Sequence, residues 1–332
     1  MTEKIWSEPE VFRIPVELPQ NPLRNLNSYV ICSEGYSLVI DTGFHRPECR
    51  KALWTGLEEL GIDLTKTVLF LTHFHSDHSG LVWDFVARGI PVYMGRTERD
   101  YYKKLTAAGN TAALHPLFLA EGFPPEQLEL QATGNQARMY APKPNFPAIP
   151  LEDGESLRIG AVSLTAIHTP GHTPGHTVLY LPDEELLFAG DHILFDITPN
   201  ISVWPGIPYS LSDYLESLQK IRRLPIKAAF PAHREAGPDT RLRIDQLTAH
   251  HAQRLDEVFR AVSENPGITA YDTAGHISWS VRGLPWEAFP PHQRWFAMGE
   301  TVAHLYELVH TGRVVRQQTA DKVHYFIGDK RT

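Results

Sequence analysis

The chain has 332 residues, more than one compact domain usually holds, so one large catalytic unit over residues 1–240 and a smaller one over 241–332 are expected. Apolar residues make up 42% and charged residues 21%, a globular composition that excludes general disorder. A formal charge of −8 argues against a chain whose main task is to coat nucleic acid, and no run of eighteen uncharged apolar residues offers a membrane span. The two cysteines, Cys32 and Cys49, lack a C-x-x-C spacing and are too few for a disulfide framework. With no recognisable signal peptide at the start, the cytoplasm is the expected location.

In chain order, SYVICSEGYSLVIDTG (28–43) reads as a hairpin turning at Glu-Gly. A helix follows at 48–62, with Leu53, Leu57 and Leu60 at helical spacing, and then TVLFLTHFH, a β-rich run ending in histidines. SGLVWDFVARGI reads as a helix closed by Gly89 and PVYMG as the next strand, so strands and helices alternate and the class is α/β. Residues 96–150 break this alternation with helical stretches and a proline-rich segment, the pattern of an inserted helical lid. Its Tyr101, Tyr102, Leu105, Leu114, Phe118, Leu119 and Phe123 supply apolar surface to close over a pocket or to form a homodimer contact. Two hairpins are read next, around Ile159-Gly160 and Pro182-Asp183, then an amphipathic helix, SLSDYLESLQKIRRL, and a short buried strand, AAFPAH. A long helix starts at 241. The tail places an apolar helix, GETVAHLYELVHTG, before a hairpin, the order of a winged helix. Residues 241–332 carry 11 Lys+Arg against 10 Asp+Glu, too balanced for a nucleic-acid surface.

Histidine is the unusual count, 17 residues, and several sit at telling spacings. In THFHSDHSG (72–80), a chain leaving its strand at Thr72 can put His73 and His75 on one face while Asp77 and His78 turn to a neighbouring point. Imidazoles and carboxylates together suit zinc, with iron, manganese and nickel as alternatives. HTPGHTPGHT (168–177) fixes a rigid loop with His172 as its candidate ligand; His176 is expected to hydrogen-bond a ligand or the core. In LLFAGD the strand-end Asp191 is placed where a carboxylate could bridge two cations, and FPAH adds His233. Trp204 and Tyr209, in SVWPGIPYS, are candidates for lining a pocket for a small-molecule substrate.

These four motifs, in this order, resemble the metal-binding motifs of the metallo-β-lactamase superfamily, and the resemblance covers roughly residues 25–240. It implies an αββα sandwich with two metals at one edge, here carrying a small C-terminal helical, winged-helix-like domain. His73, His75 and His172 would hold one metal, Asp77, His78 and His233 the other, and Asp191 would bridge them. Asp41 of IDTG matches an aspartate that orients ligands in that family. Lactam-cleaving members often use a cysteine ligand, which this chain lacks in its motifs, and flavodiiron-type members replace the second motif histidine by glutamate. The thioester-cleaving hydroxyacylglutathione hydrolases (glyoxalase II) share TPGHT and GD, although their glutathione-binding basic residues find no match in this tail.

The expected chemistry is hydrolysis of a small ester, thioester or lactone by a metal-bound hydroxide, with Asp77 orienting the hydroxide and accepting its proton. A metal-dependent endoribonuclease is the rival reading drawn from the tail, and a mononuclear iron oxygenase of the persulfide-oxidising kind shares the first motif.

Overall fold

The computed structural model describes residues 2–109, 114–133, 135–279 and 284–328. Two sheets pack face to face. The first has seven strands in sequence order: β1 (Glu3–Trp6), β2 (Glu10–Glu17), β3 (Asn25–Ser33), β4 (Tyr36–Ile40), β5 (Thr67–Leu71), β6 (Val92–Gly95) and β7 (Ile149–Leu151). Strands β1 to β4 form an antiparallel meander and β4 to β7 are parallel. The second sheet orders β12 (Ala228–Pro231), β11 (Leu186–Gly190), β10 (Thr177–Leu181), β9 (Val162–His168) and β8 (Ser156–Ile159).

The two-residue period of the strands sorts their side chains between layers. Along β4, Leu38 and Ile40 enter the core between the sheets while Val39 faces outward; along β10, Leu179 and Leu181 face inward and Val178 and Tyr180 outward. The inter-sheet core therefore joins Ile31, Ile40 and Phe70 of the first sheet to Leu164, Leu179 and Phe188 of the second. Both outer faces are covered by helices, because strands apolar on both sides must be buried on both. Helices α1 (Pro47–Glu59), α2 (Ser76–Ser79), α3 (Val82–Val86) and α4 (Arg96–Ala107) lie on the side of the first sheet, which Leu53, Leu57, Phe85 and Leu105 cover. The inserted region continues with α5 (His115–Ala120), α6 (Pro125–Thr133) and α7 (Gln136–Met139). Helix α8 (Ser210–Arg222) and the start of α9 (Thr240–Glu264) cover the second sheet with Leu211, Tyr214, Leu218, Ile244 and Leu247. This is the αββα sandwich.

The last part comprises α10 (Ala270–Gly275), α11 (Pro291–His310) and the hairpin β13 (Val314–Gln318) with β14 (Val323–Ile327). Its core draws on the second half of α9, with Val258 and Val262, so one continuous helix serves both units. The apolar residues of the insertion divide between two cores. Tyr101, Tyr102 and Leu105 pack on the first sheet's outer layer, while Leu114, Phe118, Leu119 and Phe123 join the C-terminal core, where Phe118 stacks on Trp295 at 3.9 Å. Glu121, fully buried, accepts hydrogen bonds from Tyr325 (2.8 Å), Tyr306 (3.2 Å) and Arg316 (3.2 Å). The second half of the insertion thus fastens to the C-terminal unit, while Tyr101 and Tyr102 stack beside Phe74 of the first-motif loop. Among the described residues no helix is long and apolar enough to cross a membrane.

Candidate metal centre

The strand ends of both sheets deliver polar loops to one edge of the sandwich. The chain leaves β5 at Thr72, and His73, His75, Asp77 and His78 follow within the loop and α2. His172 comes from the loop after β9, Asp191 from the end of β11 and His233 from the end of β12. All seven side chains predicted from the motifs converge there. In each of three sets, the candidate ligating atoms lie within 4.8 Å of one another: His73, His75 and His172; Asp77, His78 and His233; and His73, His78 and Asp191. Six of the seven are buried, and His75 alone is partly exposed.

The outward ring nitrogens settle which way the inward lone pairs point. His78 Nδ1 donates to Asp41 Oδ2 at 2.7 Å, His172 Nδ1 to the carbonyl of Asn200 at 2.8 Å, and His233 Nδ1 to the carbonyl of Asn25 at 2.8 Å. Thr72 Oγ1 donates to Asp41 Oδ2 at 2.8 Å and so is left to accept from His73 Nδ1 at 3.0 Å. With the outer nitrogen protonated, each Nε2 of the neutral ring presents a lone pair to the centre, as metal-ligating histidines require. His75 Nδ1 lies 2.9 Å from both His73 Nε2 and His172 Nε2. One proton on His75 can serve only one of those neighbours, whereas a cation among the three satisfies them all. Nearby, His78 Nε2, His233 Nε2 and Asp191 Oδ1 are buried with no hydrogen-bond partner among the described residues, an arrangement costly for a protein that binds no ion there. The donor set therefore fits divalent cations.

Asp191 straddles the two groups. Its Oδ1 lies 3.6 Å from His78 Nε2 and 3.4 Å from His233 Nε2, and its Oδ2 lies 3.5 Å from His172 Nε2. His176 sits outside the three sets: its Nε2 accepts from the backbone N–H of Asp191 at 3.1 Å and its Nδ1 donates to Thr169 Oγ1 at 2.9 Å. It thus fixes the backbone that carries Asp191. Asp41, besides gripping His78, accepts from the backbone N–H of Thr72 at 2.9 Å and so ties the end of β5 to the end of β4.

The electrostatics divide the centre. Burial and the neighbouring imidazoles His78, His75 and His172 hold His73 well below the usual histidine range; burial and His172 bring His75 down to about 3. These rings are neutral at physiological pH. Burial pulls His78 and His233 down as well, but carboxylates outweigh it: Asp41 and Asp191 for His78, Asp191 and Asp77 for His233, and both rings end above their ordinary value. Burial raises Asp77, yet His78 and His233 prevail and bring it to about 2, so its carboxylate is ionised.

Trp204 lies beside the centre. Its ring is 5.9 Å from that of His75, 5.3 Å from Phe74 and 6.2 Å from Tyr101, and its Nε1 donates to the carbonyl of His172 at 3.3 Å. Tyr209 is elsewhere: its exposed ring packs on His310, at the end of α11, at 4.4 Å. His168 Nε2 donates to the Pro174 carbonyl at 3.2 Å, and His192 is buried against Tyr214; neither belongs to the ligand sets.

One residue with no signal in the sequence joins the loops. Glu98, fully buried near the start of α4, accepts from the N–H of Phe74 through Oε1 at 2.9 Å and from the N–H of Gly175 through Oε2 at 2.8 Å. It clamps the first-motif loop to the second. Gly175 approaches so closely that a Cβ there would lie 2.0 Å from the Glu98 nitrogen, which explains the second Pro-Gly pair of the motif. Burial pushes Glu98 up to about 7 against the hydrogen bonds that favour its ionised form.

Comparison with known proteins agrees with this geometry. Residues 22–233 match the family model of the metallo-beta-lactamase superfamily, and residues 255–329 match that of the metallo-beta-lactamase-like C-terminal domain. A metallo-beta-lactamase family protein from Thermus thermophilus superposes with a TM-score of 0.80 at 30% identity, covering 96% of this chain and 98% of that one. A beta-lactamase domain protein from Burkholderia ambifaria gives 0.77 at 25% identity, with 98% and 95% covered. Among curated proteins, the atrochrysone carboxyl ACP thioesterase of Aspergillus fumigatus is 24% identical over 249 residues, 75% of this chain but only 47% of that protein. The corresponding thioesterase of Aspergillus aculeatus is 26% identical over 284 residues, 83% of this chain and 73% of that protein. With a family model spanning most of its length and a full-length structural match, this chain belongs to the metallo-beta-lactamase superfamily.

Proposed function

We propose that the protein is a dinuclear metal-dependent hydrolase of a small thioester or ester, lactones included. The observation that carries this reading is Asp191, whose two oxygens face His172 on one side and His78 and His233 on the other. In this reading His73, His75 and His172 would hold one ion and Asp77, His78 and His233 a second, with the Asp191 carboxylate available to both sets; mixed nitrogen and oxygen donors favour zinc. Divalent cations held there would bring the pKa of a bound water down to about 7 and polarise the substrate carbonyl. The chain itself supplies orientation and proton handling. Asp77, ionised at neutral pH, orients the attacking water and accepts its proton, while Asp41 and His176 keep His78 and Asp191 in place. The partial exposure of His75, beside Trp204, supports substrate approach from that side. Relatives named as ACP thioesterases support the thioester as the scissile bond.

The test combines metal analysis with a panel of acyl thioesters, aryl esters and lactones. Two ions per chain are expected, with thioester turnover lost on chelation and in His75→Ala. One ion per chain, turnover unchanged in His75→Ala, or activity confined to single-stranded RNA would each defeat the proposal.

A further inference from the structure

The segment Asn200–Trp204 lies between the metal centre and helix α11 of the C-terminal unit, and it touches both. On the centre's side it holds His172 twice: the Asn200 carbonyl takes the proton of His172 Nδ1 at 2.8 Å, and Trp204 Nε1 donates to the His172 carbonyl at 3.3 Å. On the other side, Asn200 Nδ2 donates to Glu300 Oε2 at 3.4 Å and Val203 is buried in the C-terminal core. Helix α11 comes so near that a Cβ on Gly299 would lie 2.3 Å from Ser202 Oγ and 3.4 Å from Ser202 Cβ. Glu300 is buried, faces Arg254 of α9 at 3.5 Å, and its carbonyl accepts from His304 Nδ1 at 2.7 Å, so the helix at this point is itself fixed.

We infer that helix α11, through Gly299 and Glu300, positions the metal ligand His172 by holding the Asn200–Trp204 segment against it, which makes the C-terminal unit part of the metal centre. The inference rests on the reading of His172 as a ligand. Three independent contacts support it: the close approach of Gly299 to Ser202, the amide–carboxylate hydrogen bond, and the burial of Val203 in the C-terminal core. Partners of a ligand's outer nitrogen typically govern metal affinity by about 10-fold to 100-fold.

The experiment measures cobalt affinity by competition with a coloured chelator, and the visible absorption of the cobalt-loaded protein, for the wild type, Gly299→Ala, Gly299→Ala with Ser202→Ala, and Asn200→Ala. Gly299→Ala should weaken cobalt binding about tenfold or more and alter the absorption bands. Adding Ser202→Ala removes the hydroxyl the new methyl would meet and should restore both. Asn200→Ala, which keeps the carbonyl but frees it from Glu300, should weaken binding in the same direction and serves if Gly299→Ala does not fold. Wild-type affinity and spectrum in both Gly299→Ala and Asn200→Ala would overturn the inference, as would failure of Ser202→Ala to rescue a folded Gly299→Ala. A wild-type protein that binds no cobalt, or binds it unchanged in His75→Ala, would instead remove the metal reading itself.

Discussion

Substituting Glu98→Ala tests whether the clamp between the two motif loops has the value its geometry implies. The substitution leaves two buried backbone N–H groups, those of Phe74 and Gly175, without an acceptor. Each orphaned group costs about 1–3 kcal/mol, so the pair costs about 2–6 kcal/mol before any term for the vacated volume. At pH 6 the wild-type carboxyl, pushed up to about 7, is mostly neutral, so little of this loss is offset by relief of a buried charge. Against a total stability of about 5–15 kcal/mol for a typical domain, the effect is large. Denaturant unfolding of the metal-free protein at pH 6 reads it directly, and chelator competition shows whether the two loops still present their ligands together. A loss below about 0.5 kcal/mol, the scale of an ordinary surface substitution, would refute the clamp.

The same carboxyl gives a pH dependence with a definite sign. Its folded value, about 7, lies above the 4.5 of an unperturbed glutamate, so its contribution to stability is fully present below pH 4.5 and is lost as pH rises through 7, about 3 kcal/mol in all. Glu98→Gln should flatten that decline in unfolding titrations between pH 5 and 8, and an unchanged slope would contradict the assignment. Chelation should lower the thermal midpoint by several degrees, because ions that bind only the folded chain stabilise it by about 4 kcal/mol at a thousand times their dissociation constant. Equal midpoints with and without chelator would argue against bound metal. Asp41→Asn replaces one acceptor oxygen facing His78 Nδ1 and Thr72 and should weaken metal binding about 10-fold to 100-fold, measured by competition; unchanged affinity would remove Asp41 from the support of the centre. Trp204→Ala should raise KM for aromatic thioesters more than for acetyl thioesters, since a buried aromatic contact is worth about 0.5–1.5 kcal/mol beyond its area. Equal effects on both would place Trp204 in packing alone.

Much of the molecule was legible because its information is local. The alternation along Tyr36–Ile40 and Thr177–Leu181 is visible within each short run, and the histidine motifs carry their spacing with them. The first two strands carry no such local signal. In β2, Pro15 reads as a strand breaker, but β1 pairs with β2 only from Val11 to Arg13, so the missing N–H falls beyond the neighbour that would need it. Glu98 was invisible for a different reason: an acid in the first turn of a helix is the commonest of surface patterns, and only a loop 77 residues away turns it inward. The aromatic residues of the insertion were recognised as apolar surface, yet sequence held no hint that Trp295, far along the chain, would cover them. Tyr209 likewise shares a proline-glycine segment with Trp204, but the start of α8 carries it off to His310.

The division of the seven convergent side chains between the sheets has a mechanical meaning. His73, His75, Asp77 and His78 follow a strand of the first sheet; His172, Asp191 and His233 follow strands of the second. Each three-residue set therefore spans the seam, and with ions in place the sandwich is riveted at one edge. Pulling the layers apart would have to break those ligand contacts, while at the opposite edge the layers meet through apolar side chains and a hydrogen bond from the Ala161 N–H to Ser33 Oγ at 3.2 Å. Under force or heat, the loaded molecule should open like a book, from the fore-edge toward the spine.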